Sequence, residues 1–331
     1  MSNDKGIDEN LSQYRMSYRD VAMHKVMLQD VVRTEAYEKS INDVVQAGQS
    51  VLDFGCGTGI LAMFAARAGA GKVHAVDRSS FIATAQEIAS VNGFNNIDFH
   101  HADHQTLEIE EPVDIIVSEW MGHCLFYEAM LEPLITVRDR YLAQGGVMIP
   151  SEVSLHAGLV CDEDVLHDLS FLKDGPYEID FSPIDQVPFQ QTELVALEAD
   201  SILKPTAHLG SLDMKTVGKT DTPRIFSGAL TVDQEAEVHA LCGWFSSELS
   251  DGVTLGTGPN DLPTHWDQIL FPLPEPFSVE PGRELTLTIS PLTEQVGREQ
   301  FWAWSITDGL KTISVNEQQL AVARNVPLGN V

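Results

Sequence analysis

The stretch Val51-Leu-Asp-Phe-Gly-Cys-Gly-Thr-Gly-Ile60 decides the fold of the first half of this 331-residue chain. Its first four residues form an apolar run typical of a buried strand, its glycines predict a tight turn, and Ile60 to Ala68 have apolar positions at helical spacing. A second strand is predicted over Lys72 to Val76. It ends at Asp77, where a doubly wound α/β fold places the acid that accepts hydrogen bonds from ribose hydroxyls.

The spacing of these glycines distinguishes two kinds of nucleotide. A dinucleotide site needs G-x-G-x-x-G at a helix N-terminus that faces a pyrophosphate, whereas this chain has G-x-G-x-G, and Ile60 occupies the place of the third glycine. A nucleoside without phosphates that extends an amino-acid tail over the turn fits better, and S-adenosylmethionine is the common one. The alternative is that the glycines serve only the backbone geometry of a strand-to-helix turn.

Two carboxylates follow the apolar strand predicted over Val113 to Val117. Glu119 and Glu128 occupy the run Ser118-Glu-Trp-Met-Gly-His-Cys-Leu-Phe-Tyr-Glu128. Ligands of open α/β sheets bind beyond the carboxyl ends of the strands, so both glutamates could contact one cation there, most naturally a planar guanidinium. The alternative is that one glutamate caps a helix beginning near Phe126 and the other is solvated.

Four stretches resemble the protein arginine N-methyltransferase family, in the branch that forms monomethyl- and asymmetric dimethylarginine. They are Tyr14-Arg-Met-Ser-Tyr18 with His24, Met27, Asp30 and Arg33; the glycine-rich stretch 51–60; the glutamate loop 118–130; and Thr264-His265-Trp266. They occur in the family's order over most of the chain, and the loop and the triplet are its most specific motifs. The resemblance implies a class I fold that uses S-adenosylmethionine.

The resemblance also implies individual roles. It gives contacts with the cofactor to His24, Met27, Arg33, Gly55, Gly57, Asp77, Asp103, His104 and Gln105. Among these, Arg33 would pair with the methionine carboxylate and Asp77 would hold the ribose. It gives catalytic roles to Glu119, Glu128, His265 and Asp30, and substrate contacts to Tyr18, Met130 and Trp266. Taken alone, His265 could equally be a loop histidine beside a packed tryptophan.

Three positions depart from the family pattern. Arg15 stands where this branch has a phenylalanine, so a long cation replaces part of an aromatic wall. Asp77 is one methylene shorter than the usual glutamate. Gln105 falls where an acid is expected near the adenine amino group, and Asp103 could substitute for it. These departures concern the product pattern and the affinity for the cofactor more than the reaction class.

The length and the patterning predict two domains. The resemblance implies a helical segment over 1–40 that closes over the cofactor. The patterning predicts a Rossmann-like domain over 41–150 and, over 151–331, where short alternating runs replace helical periodicity, a β-barrel or sandwich that would be the substrate domain. An irregular stretch at about 162–189, with Phe171, Leu172, Tyr177 and Phe181, resembles the arm by which the family dimerises. It could also be an ordinary surface loop.

The formal net charge of −29 excludes nucleic acid as the expected partner, because phosphate contacts need clustered Lys and Arg. The same field attracts cations, such as an arginine-containing protein or peptide or free arginine, although an acidic surface can also serve solubility or adaptation to salt. The leading hypothesis is an arginine methyltransferase that acts as a homodimer. The alternatives are a methyltransferase of free arginine or a guanidino metabolite, and a dimeric scaffold that binds the cofactor but has little activity.

The remaining composition predicts neither a metal site nor a membrane segment. The four cysteines form no C-x-x-C pair, and the histidines complete no ligand pattern. The first dozen residues are polar, and no run of 18 apolar residues occurs, so we expect no signal peptide, no membrane span and a cytoplasmic protein.

Overall fold

The computed structural model describes residues 21–126, 130–219, 225–292 and 300–319. Tyr18, Arg15 and Glu128 therefore lie outside the described residues. The helices are α1 (Val21–Gln29), α2 (Val31–Val44), α3 (Ile60–Arg67), α4 (Ile82–Val91), α5 (Leu131–Tyr141) and α6 (Glu163–Ser170).

A five-stranded parallel sheet forms the first half of the molecule. Its strands are β1 (Ser50–Phe54), β2 (Lys72–Asp77), β3 (Ile97–His101), β4 (Val113–Val117) and β5 (Leu142–Ile149). They lie in the order β3-β2-β1-β4-β5, which confirms the doubly wound prediction. The order reverses between β1 and β4, and such a switch point creates the crevice in which open α/β sheets bind ligands.

The first described helix after β4 is α5. The alternative interpretation of the glutamates placed a helix start near Phe126, whereas α5 begins at Leu131. Cys124 and Leu125 have left-handed backbone angles, with φ of 47° and 72°, and Gly122 pairs with Leu125 in an isolated bridge. This tight reversal turns the chain back toward the sheet, and a helix cannot propagate through left-handed residues.

Two antiparallel sheets form the second half. The strands are β6 (Glu152–Val160), β7 (Glu193–Val195), β8 (Ile202–Asp213), β9 (Phe226–Thr231), β10 (Ala236–Ser250), β11 (Val253–Gly256), β12 (Gln268–Val279), β13 (Glu284–Pro291), β14 (Trp302–Thr307) and β15 (Thr312–Asn316). One sheet has the order β7-β12-β10-β6-β8, with β11 on β10, and the other has the order β15-β14-β13-β9. Together they enclose an apolar core, as the β-barrel prediction requires.

The segment 162–189 is more ordered than its irregular pattern predicts. It contains α6 and short 3-10 helices at Pro176–Glu178 and Pro188–Gln190. Asp162 caps α6 by accepting hydrogen bonds from the N–H groups of Asp164 and Val165. Leu169 and Phe189 are buried in a small second core against the barrel, which fixes both ends of the segment.

The main apolar core continues from the parallel sheet into the barrel. It includes Val51 and Ile115 of the first half and Phe245 and Trp266 of the second, and α2 packs on β10 and β11. The two halves therefore support each other at the crevice. Within the part of the chain that the structure describes, no helix is long and apolar enough to cross a membrane.

Candidate active site

A cavity of about 610 Å³ opens at the carboxyl ends of β1, β2 and β4. Most of the residues singled out in the sequence line it. They are His24, Met27, Arg33, Gly55, Gly57, Asp77, Asp103, His104, Gln105, Glu119, Met130 and His265. The fold therefore gathers residues from distant parts of the chain, between His24 and His265, into one crevice.

The glycine turn and Asp77 form one hydrogen-bonded unit. Gly55 and Gly57 have left-handed backbone angles, with φ of 81° and 52°, which favour glycine. The N–H of Gly57 donates to Asp77 Oδ2 at 2.9 Å, and the N–H of Ser79 donates to Oδ1 at 2.7 Å. Each oxygen keeps a second lone pair, so the fixed carboxylate can also accept hydroxyl donors.

Helix α1 covers one side of this turn. His24 is buried, and its ring lies 4.0 Å from that of Phe81, centroid to centroid. A Cβ on Gly57 would lie 3.2 Å from His24 Cε1, so helix and turn are already in close contact. Met27 lies one turn later on the same helix and also faces the cavity.

The loop after β3 supplies Asp103, His104 and Gln105. Asp103 Oδ1 accepts hydrogen bonds from the N–H groups of Gln105 and Thr106, at 2.8 and 2.9 Å. These backbone hydrogen bonds hold the pKa of Asp103 below its usual value. The Asp103 carboxylate therefore organises its own turn at the rim of the cavity.

Asp30 connects α2 with the Thr-His-Trp loop of the barrel. Its Oδ1 caps α2 by accepting the N–H of Arg33 at 2.9 Å, and its Oδ2 accepts the backbone N–H and Nδ1 of His265 at 2.9 and 2.7 Å. Burial alone would raise the pKa of Asp30, but the hydrogen bonds from His265 and Arg33 outweigh it and lower the pKa. The structure thus brings together the predicted Asp30–His265 pair.

Arg33 and Glu119 form a buried ion pair. Arg33 Nη1 lies 2.6 Å from Glu119 Oε2, and the two side chains are 7% and 13% exposed. The sequence assigned them to different ligands, Arg33 to a carboxylate and Glu119 to a guanidinium. In the structure they are each other's partner. Arg33 Nε is buried and has no hydrogen-bond partner among the described residues, so the guanidinium keeps an unused donor.

Asp53 is a buried carboxyl that the sequence analysis did not single out. It lies on β1, it is fully buried, and its Oδ2 accepts the N–H of Ala62 at 2.9 Å. Burial, together with the charge of Asp77, raises its pKa to about 7. The available signal was an acid within a buried strand, two positions before the glycine turn at Gly55.

Trp266 lies behind the cavity wall. It is 2% exposed, its Nε1 donates to Met121 O at 2.7 Å, and its ring packs edge-on against Phe245. The sequence analysis gave it a contact with substrate, but in the structure it supports the loop that holds His265. His123 Nδ1 and Trp266 O lie 2.5 Å apart, a second link between the two loops that the sequence did not reveal.

Comparisons with known families divide the chain at the same place as the fold. Residues 151–314 match the family described as the arginine methyltransferase oligomerization subdomain. Residues 34–153 match the ribosomal protein L11 methyltransferase family. The family matched by the first half is named for a ribosomal protein, whereas the family matched by the second half is named for arginine methyltransferases.

Two full-length relatives extend this result. Protein arginine N-methyltransferase 1 of Schizosaccharomyces pombe is 35% identical over 284 residues, which cover 84% of each chain. Protein arginine N-methyltransferase 6 of Xenopus laevis is 33% identical over 298 residues, which cover 86% of this chain and 88% of that protein.

Two solved structures share the fold. The Trypanosoma brucei PRMT1 enzyme-prozyme heterotetrameric complex with AdoHcy matches with a TM-score of 0.83 and 31% identity, over 91% of this chain and 99% of that chain. Arabidopsis thaliana protein arginine methyltransferase 10 matches with a TM-score of 0.79 and 23% identity, over 92% and 100%. The likeness covers the parallel sheet and the barrel together.

Proposed function

This chain belongs to the protein arginine N-methyltransferase family, and from that premise we propose that it transfers a methyl group from S-adenosylmethionine to a guanidinium nitrogen of arginine residues in proteins. The observation that supports this most directly is the Arg33–Glu119 ion pair. It places a guanidinium on a buried carboxylate inside the cavity of the glycine turn. A guanidinium from a substrate would meet the same carboxylate.

The described residues fit S-adenosylmethionine. Asp77 is held by two backbone N–H groups and can accept from ribose hydroxyls, while Arg33 has a buried Nε without a partner among the described residues and can donate to a carboxylate. His24 and Met27 would form the wall over it, and the 103–105 loop would meet the adenine. When bound, the cofactor supplies a methyl group on a positively charged sulfur.

The protein must position a nitrogen in line with that methyl group. Effective catalysis of such a displacement needs the reacting atoms about 3 Å apart. A guanidinium is a weak nucleophile because its lone pairs are delocalised and its pKa exceeds about 12. In our proposal Glu119 and Glu128 bind the guanidinium and draw its positive charge toward the bound nitrogens. The reacting nitrogen then has more lone-pair character.

Release of Arg33 from Glu119 is part of this proposal. Arg33 Nη1 is bound to Glu119 Oε2, so a substrate guanidinium that takes the same oxygen has to displace it. A carboxylate from the cofactor would draw the guanidinium away from Glu119 and leave that oxygen for the substrate. The proton lost after transfer would then leave through a glutamate or through the Asp30–His265 pair.

A labelling experiment tests the function. The full chain is incubated with methyl-labelled S-adenosylmethionine and, in parallel, with a Gly-Arg-rich peptide, a cell lysate and free arginine. We expect label on arginine in the peptide and in lysate proteins, and mass spectrometry of the digest then identifies mono- and dimethylated products. Label on free arginine alone would contradict a protein substrate, and no label with any acceptor would contradict the enzyme.

We also propose that the chain forms a homodimer through the segment 162–189. Four large side chains of this one segment are exposed, Phe171, Tyr177, Ile179 and Ile184, and several exposed apolar groups close together in sequence favour a covering partner more than a single one does. Deleting the segment would also remove its buried anchors, so Tyr177→Ser with Ile179→Ser is the cleaner test. We expect monomers by light scattering, whereas the control Leu310→Ser, at a position 85% exposed on the barrel, should leave the dimer intact. A monomeric unmodified chain would contradict the proposal.

A further inference from the structure

Tyr37 is a buried tyrosine beside Glu119 that the sequence analysis did not single out. It lies on α2 one turn after Arg33, and its side chain is fully buried. Residues four apart lie on the same face of a helix, so α2 presents Arg33 and Tyr37 to the same loop. Arg33 contacts the carboxylate of Glu119 there, whereas Tyr37 contacts the residues on either side of Glu119.

The hydroxyl of Tyr37 holds the segment 118–121, which contains Glu119, from both sides. It donates to Ser118 O at 3.2 Å and lies 3.8 Å from Met121 Sδ. Burial, with the charge of Glu119, raises the pKa of Tyr37 well above its usual value, so the oxygen keeps its proton and remains a donor. The charge of Arg33 opposes this rise, so the hydroxyl would hold its proton even more firmly without Arg33 nearby.

Two further contacts fix the segment 118–121, and both come from elements other than α2. Ser118 Oγ donates to Phe54 O, at the end of β1, at 2.7 Å, and Trp266 Nε1 donates to Met121 O at 2.7 Å. These contacts anchor the segment to the parallel sheet and to the barrel. Tyr37 anchors it to the helix whose arginine would bind the cofactor carboxylate.

We propose that Tyr37 is a positioning residue for methyl transfer, which keeps Glu119 in place when Arg33 releases it. The inference rests on the proposed function, in which the cofactor carboxylate draws Arg33 away from Glu119. That release would remove the 2.6 Å ion pair that orients the glutamate. Tyr37 contacts the backbone of the segment and not the carboxylate, so its contact survives the exchange of partners. Misplacement of a reacting group by about 1 Å can lower a rate on the order of 10²-fold, so this contact affects turnover.

Tyr37→Phe tests the proposal, because it keeps the ring in the core and removes only the hydroxyl. The full chain is assayed with methyl-labelled S-adenosylmethionine and a Gly-Arg-rich peptide, and we expect kcat to fall about three- to tenfold. The KM for S-adenosylmethionine should stay within about twofold, since Arg33 and Asp77 are unchanged. An unchanged kcat would overturn the proposal.

The matched control is Tyr141→Phe. Tyr141 is also buried on a helix of the first half, and its hydroxyl donates to Leu107 O, outside the segment 118–121. Each variant loses one buried hydrogen bond, so the denaturant midpoints of the two proteins should fall by similar amounts. Only Tyr37→Phe should lower kcat. An equal loss of kcat in both variants would assign the effect to a loosened core and overturn the proposal.

A double variant shows whether Tyr37 acts through Glu119. A Glu119→Gln chain no longer has a carboxylate to position, so adding Tyr37→Phe should change the residual kcat by less than about twofold. A further loss of about three- to tenfold would mean that the two residues act independently, as expected if Tyr37 only packs in the core. That additive result would overturn the proposal.

Hydrogen exchange separates this inference from the proposed function, because it needs no turnover. With S-adenosylhomocysteine bound, the backbone amides of 118–126 should exchange faster in Tyr37→Phe than in the unmodified chain or in Tyr141→Phe. If the unmodified chain methylates no acceptor but shows this difference, the proposed function fails while the hold of Tyr37 on Glu119 stands. Equal exchange in all three proteins would overturn the positioning role, whether or not the chain is active.

Discussion

The crevice has a cofactor end at the glycine turn and an acceptor end at Glu119 and His265. The hydrogen bonds at these two ends join residues at very different separations along the chain. At the glycine turn, Gly57 and Asp77 are 20 residues apart, and Ser79 follows Asp77 by two. At the acceptor end, Arg33 meets Glu119 across 86 residues, and His265 meets Asp30 across 235. The first end is local to one strand-turn-helix-strand unit, whereas the second exists only when both halves of the molecule have packed.

The comparison predicts different consequences of mutation. Changes at the cofactor end should alter affinity for the cofactor and leave the rest of the site in place. Changes at the acceptor end should alter turnover or stability, because each side chain there pairs with a residue that is distant in the sequence.

Glu119→Gln should give the largest effect. The amide keeps the shape but loses the negative charge that polarises the guanidinium, and loss of one preorganised electrostatic contact typically lowers kcat about 10²–10³-fold. Affinity for S-adenosylmethionine should not fall, because the change removes the competitor for Arg33. Steady-state kinetics and calorimetry check both points.

The control for this variant is Glu110→Gln, at an exposed position before β4. It should retain normal turnover. Near-normal turnover of a folded Glu119→Gln protein would show that Glu119 does not act on the acceptor guanidinium.

Asp53→Asn should change how stability depends on pH. The folded pKa of Asp53 is about 7, above the usual value of 3.8, so the folded state holds a proton that the unfolded state loses. The contribution of Asp53 to stability is therefore full at low pH and is lost as pH rises from about 4 to about 7. Asparagine can still accept the N–H of Ala62 and has no such loss.

Denaturant unfolding without cofactor, at pH 5 and pH 8, checks this prediction. Between these values the unmodified chain should lose about 2–3 kcal/mol relative to Asp53→Asn. A parallel pH dependence of the two proteins would mean that Asp53 is ionised in the folded state.

Asp77→Ala should weaken binding of the cofactor by about 1–3 kcal/mol, through loss of charge-assisted hydrogen bonds to hydroxyls. The glycine turn would also lose the acceptor for Gly57 N–H. Calorimetry with S-adenosylhomocysteine measures the effect. Asp98→Ala on β3, which removes an exposed carboxylate paired with Lys72, should change the dissociation constant little. An unchanged dissociation constant for Asp77→Ala would mean that the ribose binds away from Asp77.

Asp30→Ala should lower the free energy of unfolding by about 1–2 kcal/mol, because it removes the N-cap of α2 and the acceptor of His265. Asp30→Ser keeps a capping oxygen for the N–H of Arg33 and should recover most of the stability. Turnover should stay low in both variants, because neither keeps a carboxylate acceptor for Nδ1 of His265. Full activity of the serine variant would mean that Asp30 acts only as the N-cap of α2.

Much of the cofactor end could be predicted from the sequence alone. The strand β1, the glycine turn, the helix α3 and Asp77 at the end of β2 lie where the pattern predicted them, because the signals are local. Apolar runs, helical spacing and glycines with left-handed angles act within a few residues. The family motifs likewise predicted that His24, Met27, Arg33 and His265 belong to one site, and these side chains line the same cavity.

Other features were decided only by tertiary structure. No local pattern indicates that Arg33 pairs with Glu119, that Trp266 lies behind the cavity wall, or that burial raises the pKa of Asp53, because each depends on distant segments that exclude water together. The left-handed turn at Cys124 and Leu125 delays α5 for the same reason, since packing of the loop against the barrel overrides helix propensity. The sequence determined the fold and the chemical groups, and the packing of the two halves determined which groups meet.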